Sequence, residues 1–141
     1  MSPEECKAIC NRFVEEILNQ GNLDVVEEIV ASDFKLNKHE MGREGLKQAV
    51  TWWRSAFPDL KVTVEDTLIE GDSIGFWYSA RGTHKGEFIG IPPTEKEVNW
   101  SGFDLLRIVD GRIAERRFIA DRLGIVHQLG GSVVKNPPET N

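Results

Sequence analysis

His84 is the first residue whose type and position suggest chemistry. It continues the alternating positions of Ile74, Phe76 and Tyr78, and it directly precedes a glycine- and proline-rich turn. An imidazole that lines a cavity can donate a hydrogen bond to a substrate carbonyl or carry its proton. Alternatively, His84 only satisfies backbone groups at the end of the strand and shapes the turn. The sequence leaves both interpretations open.

Aromatic side chains form a second group, because they supply flat apolar surface for an aromatic or polycyclic ligand. The candidate ligand-binding residues are Trp53, Phe76, Tyr78 and Trp100. Packing in the core or in a dimer interface is the alternative use of such residues. We expect the aromatic residues of this chain to be divided between the two uses.

Asp104 lies in a predicted strand whose two faces both carry apolar residues. Counting alternate positions therefore does not settle which way its carboxylate points. A buried Asp104 would raise the pKa of a nearby carboxylate. An exposed Asp104 that pairs with Arg107 or Arg117 is the simpler expectation.

Apolar spacing divides the chain into the elements that must position these residues. Spacings of three and four residues predict helices first, and alternation predicts hairpin-linked strands later. The predicted helices cover 3–20, a short stretch after Asn22, 43–57 and 121–129, and the predicted strands cover 34–37, 60–64, 74–84, 97–109 and 112–120. This order favours an α+β fold in which a curved antiparallel sheet wraps around the N-terminal helices. We expect one domain over residues 1–130 and a disordered tail over 131–141.

Composition excludes several classes of function. A net charge of −6 over 141 residues argues against nucleic-acid binding, which depends on Lys and Arg. No apolar run reaches the length needed to cross a bilayer. The three histidines lack metal-ligand spacing and no phosphate-binding loop is present, so we expect no cofactor and no metal. Two cysteines without a disulfide framework favour a reducing, cytoplasmic setting.

Four short motifs occur in a fixed order along the chain. They are Ala56-Phe57-Pro58-Asp59-Leu60, the run from Arg81 to Thr94 with its Gly90-Ile91-Pro92-Pro93 turn, Asp110-Gly111-Arg112-Ile113, and Asp121-Arg122-Leu123-Gly124 leading to Gln128-Leu129-Gly130. Together they resemble the SnoaL-like polyketide cyclase family, also called ester cyclases, of the NTF2-like superfamily. The resemblance implies an NTF2-like (cystatin-like) cone with an internal cavity. It also implies a cofactor-independent cyclase or isomerase that acts on a small apolar, carbonyl-containing ligand.

The resemblance assigns the role of general acid/base to Asp121. In our hypothesis, His84 stabilises or protonates the oxyanion. The carboxylate would remove a proton α to a carbonyl, and the enolate would close a ring by intramolecular aldol attack. Desolvation in an apolar pocket would tune such a carboxylate for proton transfer. The alternative is that Asp121 only caps the helix that follows it.

The chain departs from the family pattern at two positions. Arg117 stands where the family more often has an aromatic residue, and Glu95 replaces a common glycine. If Arg117 faces the cavity and binds substrate, the ligand is anionic or more polar than a neutral polyketide ester.

Two other functions remain open at this point. One is a non-catalytic NTF2-like module that binds a small ligand or only dimerises, because a fold does not establish chemistry. The other is a cofactor-free hydroxylase or hydrolase that uses the same groups. The outer face of the predicted sheet is half apolar, which favours a homodimer through that face.

Overall fold

The computed structural model describes residues 1–134. Its helices are α1 (Pro3–Arg12), a π-helical continuation (Phe13–Asn19), α2 (Asp24–Ile29), α3 (Gly42–Ala56) and α4 (Arg122–Gln128). Its strands are β1 (Val30–Leu36), β2 (His39–Glu40), β3 (Lys61–Glu70), β4 (Ser73–Thr83), β5 (Glu97–Val109) and β6 (Arg112–Ala120). Helices precede the long hairpin-linked strands, as the spacing of apolar residues predicts.

The first helix begins with ordinary capping chemistry. The Ser2 side chain accepts a hydrogen bond from the Glu5 N–H, and Pro3 occupies the start of the helix, where no N–H partner is needed. Its buried residues Cys6 and Cys10 lie on one face, which the π-helical segment continues with Phe13. This face packs onto the sheet and closes one side of the core.

The six strands form one sheet in the order β2-β1-β6-β5-β4-β3. Neighbouring strands are antiparallel except β1 and β6, which run parallel. The sheet was expected to be antiparallel throughout, so this pair is a correction. It arises because β1 enters from the N-terminal helices and adds to β6, the strand that the chain forms last.

Alternation along β4 and β5 gives the sheet an inner, buried face. The inner positions are Ile74, Phe76, Tyr78 and Ala80 on β4, and Val98, Trp100, Gly102, Asp104, Leu106 and Ile108 on β5. Residues of α1, the π-helical segment and α3 cover this face and complete the core. The outer face carries the residues between these positions.

Strand β6 carries a bulge that changes which residues face inward. Ile113 pairs with Ile108, whereas Glu115 pairs with Arg107, so Ala114 has no partner of its own on β5. An extra residue shifts the alternation by one position. As a result Arg116 is buried and Arg117 is exposed.

Residues 131–134 follow α4 without regular secondary structure. The rest of the predicted tail, residues 135–141, lies outside the described residues. Over residues 1–134, each helix is too short or too polar to cross a membrane.

Candidate functional site

A buried ion pair lies at the centre of the inner face of the sheet. Asp104 on β5 is 0% exposed, and its Oδ2 accepts a hydrogen bond of 2.6 Å from Nε of Arg116 on β6. Arg116 is itself only 6% exposed, and its guanidinium lies over the rings of Phe13 and Phe118, at 5.0 Å and 4.2 Å. The expectation of an exposed Asp104 that pairs with Arg107 or Arg117 was therefore wrong.

In the described part of the chain, the second carboxylate oxygen of Asp104 has no hydrogen-bond partner. Among residues 1–134 no donor bonds Oδ1, although the atom is buried. Burial raises the pKa of Asp104 because it penalises the charged form, and Arg116 opposes that shift. An unpaired buried oxygen costs stability, so its presence calls for an explanation beyond packing.

The Tyr78 hydroxyl lies over Gly102, two residues before Asp104 on β5. Tyr78 packs so closely over Gly102, its partner on β5, that a side chain at Gly102 would collide with the phenol oxygen. Burial, and next the charge of Asp104, raises the pKa of Tyr78 above its ordinary value of 10.0. The phenol therefore stays protonated at neutral pH and can donate a hydrogen bond to an oxygen.

Aromatic rings form a wall from α3 across to β5. The rings of Trp53 and Trp100 stack with their centroids 5.7 Å apart. Phe57 and Phe88 extend the wall, and Phe76 lies 6.3 Å from the Tyr78 ring on the inner face. All four aromatic residues that were predicted to bind ligand thus lie on the inner side of the sheet.

Arg122 lies at the open edge of this wall. Its guanidinium carbon is 5.7 Å from the centre of the Trp53 ring and 6.0 Å from those of Trp52 and Phe118. Arg122 is exposed, whereas Trp53 and Phe118 are half-buried. We refer to Tyr78, Trp100, Asp104, Arg116 and Arg122 together as the inner site.

His84 is completely buried at the far end of β4. Its Nδ1 accepts a hydrogen bond of 3.1 Å from the Thr94 N–H, so the ring proton of a neutral imidazole lies on Nε2. Within the described residues that Nε2 has no partner. Asp104 pairs with Phe76 near the other end of β4, which is roughly 25 Å along the strand from His84.

Asp121 caps α4. Its Oδ1 accepts a hydrogen bond of 2.9 Å from the Gly124 N–H, and the residue is exposed. The carboxylate faces a surface cleft of about 360 Å³ that Ser101 and Arg81 also line. The Asp121 N–H donates a hydrogen bond to the Ser101 carbonyl, whereas the His84 N–H donates one to the Lys96 carbonyl. Ser101 and Lys96 are five residues apart, so the two carbonyls lie roughly 16 Å apart along the chain.

The structure therefore does not bring Asp121 and His84 together. Arg117, the predicted ligand-binding arginine, lies on the outer face, where its Nε bonds Glu115 at 2.9 Å and its side chain is 52% exposed. The neighbouring Arg116 occupies the inner position instead. Counting alternate residues misses Arg116, because the bulge at Ala114 leaves no mark in the sequence.

Within residues 1–134, no cluster of three or more His, Cys, Asp or Glu side chains is arranged to hold a metal ion. The polar groups of the inner site are a carboxylate, a phenol and guanidinium groups. Such a set can move a proton and stabilise an oxyanion.

The SnoaL-like polyketide cyclase family matches residues 8–129 of this chain. An aklanonic acid methyl ester cyclase from Streptomyces peucetius is 33% identical, over 84% of this chain and 87% of the relative. A nogalonic acid methyl ester cyclase from Streptomyces nogalater is 32% identical, over 79% of this chain and 88% of the relative. The solved structure of AclR from Streptomyces galilaeus, a proposed hydroxylase, has a TM-score of 0.81 at 27% identity and covers 92% of this chain and 98% of its own. These likenesses confirm the predicted fold class and the prediction of an enzyme.

Proposed function

This chain belongs to the SnoaL-like polyketide cyclase family, and we propose that it closes a ring in an aromatic, polyketide-like substrate by a cofactor-free intramolecular aldol addition. The observation that carries the proposal is the environment of Asp104. Its carboxylate is fully buried, and among residues 1–134 one of its two oxygens has no hydrogen-bond partner.

The reaction needs one base that later acts as an acid. Oδ1 of Asp104 removes a proton from the carbon α to a carbonyl, and the electron pair moves to the carbonyl oxygen as an enolate. The enolate carbon attacks a second carbonyl of the same molecule and forms the ring bond. The resulting alkoxide takes the proton back from Asp104, so the product is an isomer of the substrate.

Two neighbours support this proton transfer. The Tyr78 phenol donates a hydrogen bond to the enolate oxygen, which stabilises the charge as it develops. Arg116 holds Oδ2 at 2.6 Å and leaves Oδ1 free to react. Its positive charge also favours the ionised form of Asp104, which is the form that accepts a proton.

Substrate must displace side chains to reach this carboxylate, because Oδ1 contacts no space that admits water. The half-buried rings of Trp53 and Phe118 and the exposed Arg122 lie at the edge of the site. We infer that substrate enters between them and stacks on the aromatic wall. Exclusion of water would protect the enolate from unwanted protonation.

The catalytic roles of Asp121 and His84 remain predictions. The bond from the Gly124 N–H to Asp121 accounts for that carboxylate as a helix cap. The Nε2–H of His84 is a buried donor without a partner in the described chain, but it lies too far from Asp104 to share one small substrate. We therefore assign proton transfer to Asp104.

The test is Asp104→Asn, which removes the base and nearly preserves the shape of the side chain. With aklanonic acid methyl ester as the probe, we expect kcat to fall by about 10²–10⁴. Product is followed by chromatography and mass spectrometry, since a ring-closed product has the mass of its substrate and a hydroxylated product does not. Asp66→Asn is the matched control, because Asp66 is an exposed aspartate on β3.

Undiminished turnover by Asp104→Asn, in a variant that melts like the wild type, would refute the role of Asp104 as the base. A product one oxygen atom heavier than the probe would replace cyclisation with hydroxylation.

We also propose a homodimer through the outer face of the sheet. Trp77, Phe103 and Ile119 are cross-strand neighbours on β4, β5 and β6, and each is more than a third exposed. A row of large exposed apolar side chains marks an association surface. Ile119→Glu, at a position that is 75% exposed, should yield a monomer in sedimentation velocity without unfolding the chain.

Leu123→Glu on α4 is the control for this experiment, because Leu123 is exposed but lies off the sheet. A wild-type chain that sediments as a monomer at micromolar concentration would refute the dimer.

A further inference from the structure

We propose that Arg122 makes the inner site selective for substrates that carry a carboxylate, in preference to the corresponding neutral ester. The inference rests on the proposed function, because it names the class of substrate for the same site. It concerns the group at the edge of the site, whereas the proposed chemistry concerns Asp104.

The placement of Arg122 is specific. Its guanidinium lies within about 6 Å of three rings, those of Trp52, Trp53 and Phe118, which come from α3 and β6. Attraction between a cation and the faces of aromatic rings holds the guanidinium there. Its N–H groups are free to donate elsewhere, because ring faces accept no conventional hydrogen bond.

Within the described residues, the charge of Arg122 is also uncompensated. No hydrogen-bond acceptor and no carboxylate pairs with it among residues 1–134. Arg116, the other arginine of the inner site, differs in this respect because Asp104 neutralises it. Arg122 lowers the pKa of Tyr78 as a nearby positive charge, against the larger effect of burial, so its field reaches the inner site.

These features define the ligand chemistry. A planar aromatic body can stack on the half-buried ring of Trp53 at the edge of the site, while a carboxylate on that body accepts two parallel hydrogen bonds from the guanidinium. A methyl ester offers no charge and cannot complete that pair. The site should therefore bind an aromatic acid more tightly than its ester.

The probes are anthraquinone carboxylate and its methyl ester, with binding followed by quenching of tryptophan fluorescence. We expect the wild-type chain to bind the carboxylate about tenfold or more tightly than the ester, as a charge-assisted pair implies. Arg122→Met removes the charge but keeps an apolar stem, and it should abolish the preference. Higher salt should weaken carboxylate binding in the wild type but not in Arg122→Met.

Arg112→Met is the matched control, because Arg112 is an exposed arginine at the β5–β6 turn, and it should retain the preference. Thermal melting of each variant shows that it is folded. Equal affinity for the two probes, an unchanged preference in Arg122→Met, or a Kd for the carboxylate weaker than about 1 mM would overturn the proposal.

These experiments distinguish a failure of the binding proposal from a failure of the proposed chemistry. A carboxylate preference without cyclisation by any variant contradicts the proposed chemistry alone. Turnover that depends on Asp104, without a carboxylate preference, contradicts the role of Arg122 alone.

Discussion

The two faces of strands β5 and β6 place similar residues in opposite environments. On the inner face Asp104 and Arg116 form a buried pair, with the arginine between two aromatic rings. On the outer face Arg117 pairs with Glu115 in contact with water, beside the exposed ring of Phe103. The same kinds of charged group are thus dehydrated on one face and hydrated on the other.

This difference suits the two faces to different functions. A charge that is shielded from water acts strongly on its neighbours. The charge of Asp104 contributes to the raised pKa values of both Tyr78 and Cys10. A hydrated charge on the outer face perturbs little and instead keeps an apolar surface soluble. We therefore expect chemistry on the inner face and association on the outer face.

The largest expected difference comes from removing one arginine from each face. Arg116→Met leaves the Asp104 carboxylate buried and unpaired, which should lower the free energy of unfolding by about 3–5 kcal/mol. Arg117→Met breaks an exposed pair and should cost about 0–1 kcal/mol. Urea titrations of the two variants measure the difference, and equal costs would contradict the contrast between the faces.

Two glycines allow the same comparison for packing. A side chain at Gly102 on the inner face would collide with the Tyr78 hydroxyl and with the Ile119 backbone carbonyl. Gly102→Ala should therefore cost about 1–3 kcal/mol. Gly75→Ala on the outer face would first meet the Phe103 ring, at 2.8 Å from its tip, and that exposed ring can move aside.

The melting temperatures of the two alanine variants provide the measurement. A greater loss of stability in Gly75→Ala than in Gly102→Ala would show that the outer face is the more tightly packed one.

The dependence of turnover on pH tests whether Asp104, on the inner face, acts as the base. Only the ionised carboxylate accepts the substrate proton, so kcat/KM should fall about tenfold per pH unit below the pKa of Asp104. Burial raises that pKa above the ordinary value of 3.8. The acid limb of the profile should therefore lie above the usual aspartate range, and a limb at the ordinary value would contradict Asp104 as the base.

The smallest effects are expected at Asp121, on the rim between the two faces. Asp121→Ala removes the cap of α4 and should cost about 1 kcal/mol, whereas Asp121→Asn keeps a capping oxygen and should cost much less. Both variants should retain turnover if Asp121 only caps. Loss of turnover in the well-folded Asp121→Asn variant would instead restore the catalytic role that the resemblance assigns to this residue.

Much of the fold follows from local patterns in the sequence. The strand bounds 97–109 and 112–120 were predicted as observed, because long alternation and the Asp110-Gly111 turn fix both ends. The helix predicted at 43–57 also agrees within one residue at either end. The parallel pairing of β1 with β6 was missed, since no local pattern encodes a contact between such distant segments.

Less of the candidate site could be predicted from the sequence. The inward position of Phe76 and Tyr78 follows from alternation along β4, and that of Trp53 follows from helical spacing. The inward direction of Trp100 and Asp104, which share one face of β5, does not follow from the sequence, because both faces of that strand carry apolar residues. The inward position of Arg116 depends on a bulge that only pairing with β5 reveals.

The parallel pairing of β1 with β6 has a consequence for the order of folding. Val30 finds its partner, Ile113, only after nearly the whole chain is available. Such a distant contact closes a long loop and is costly to form early. During synthesis the hairpins of β3, β4 and β5 can assemble first, and the N-terminal helices can pack on them before β6 emerges. We therefore expect β1 to join the sheet in a late step of folding, and chains that end before β6 to leave β1 without its partner in the sheet.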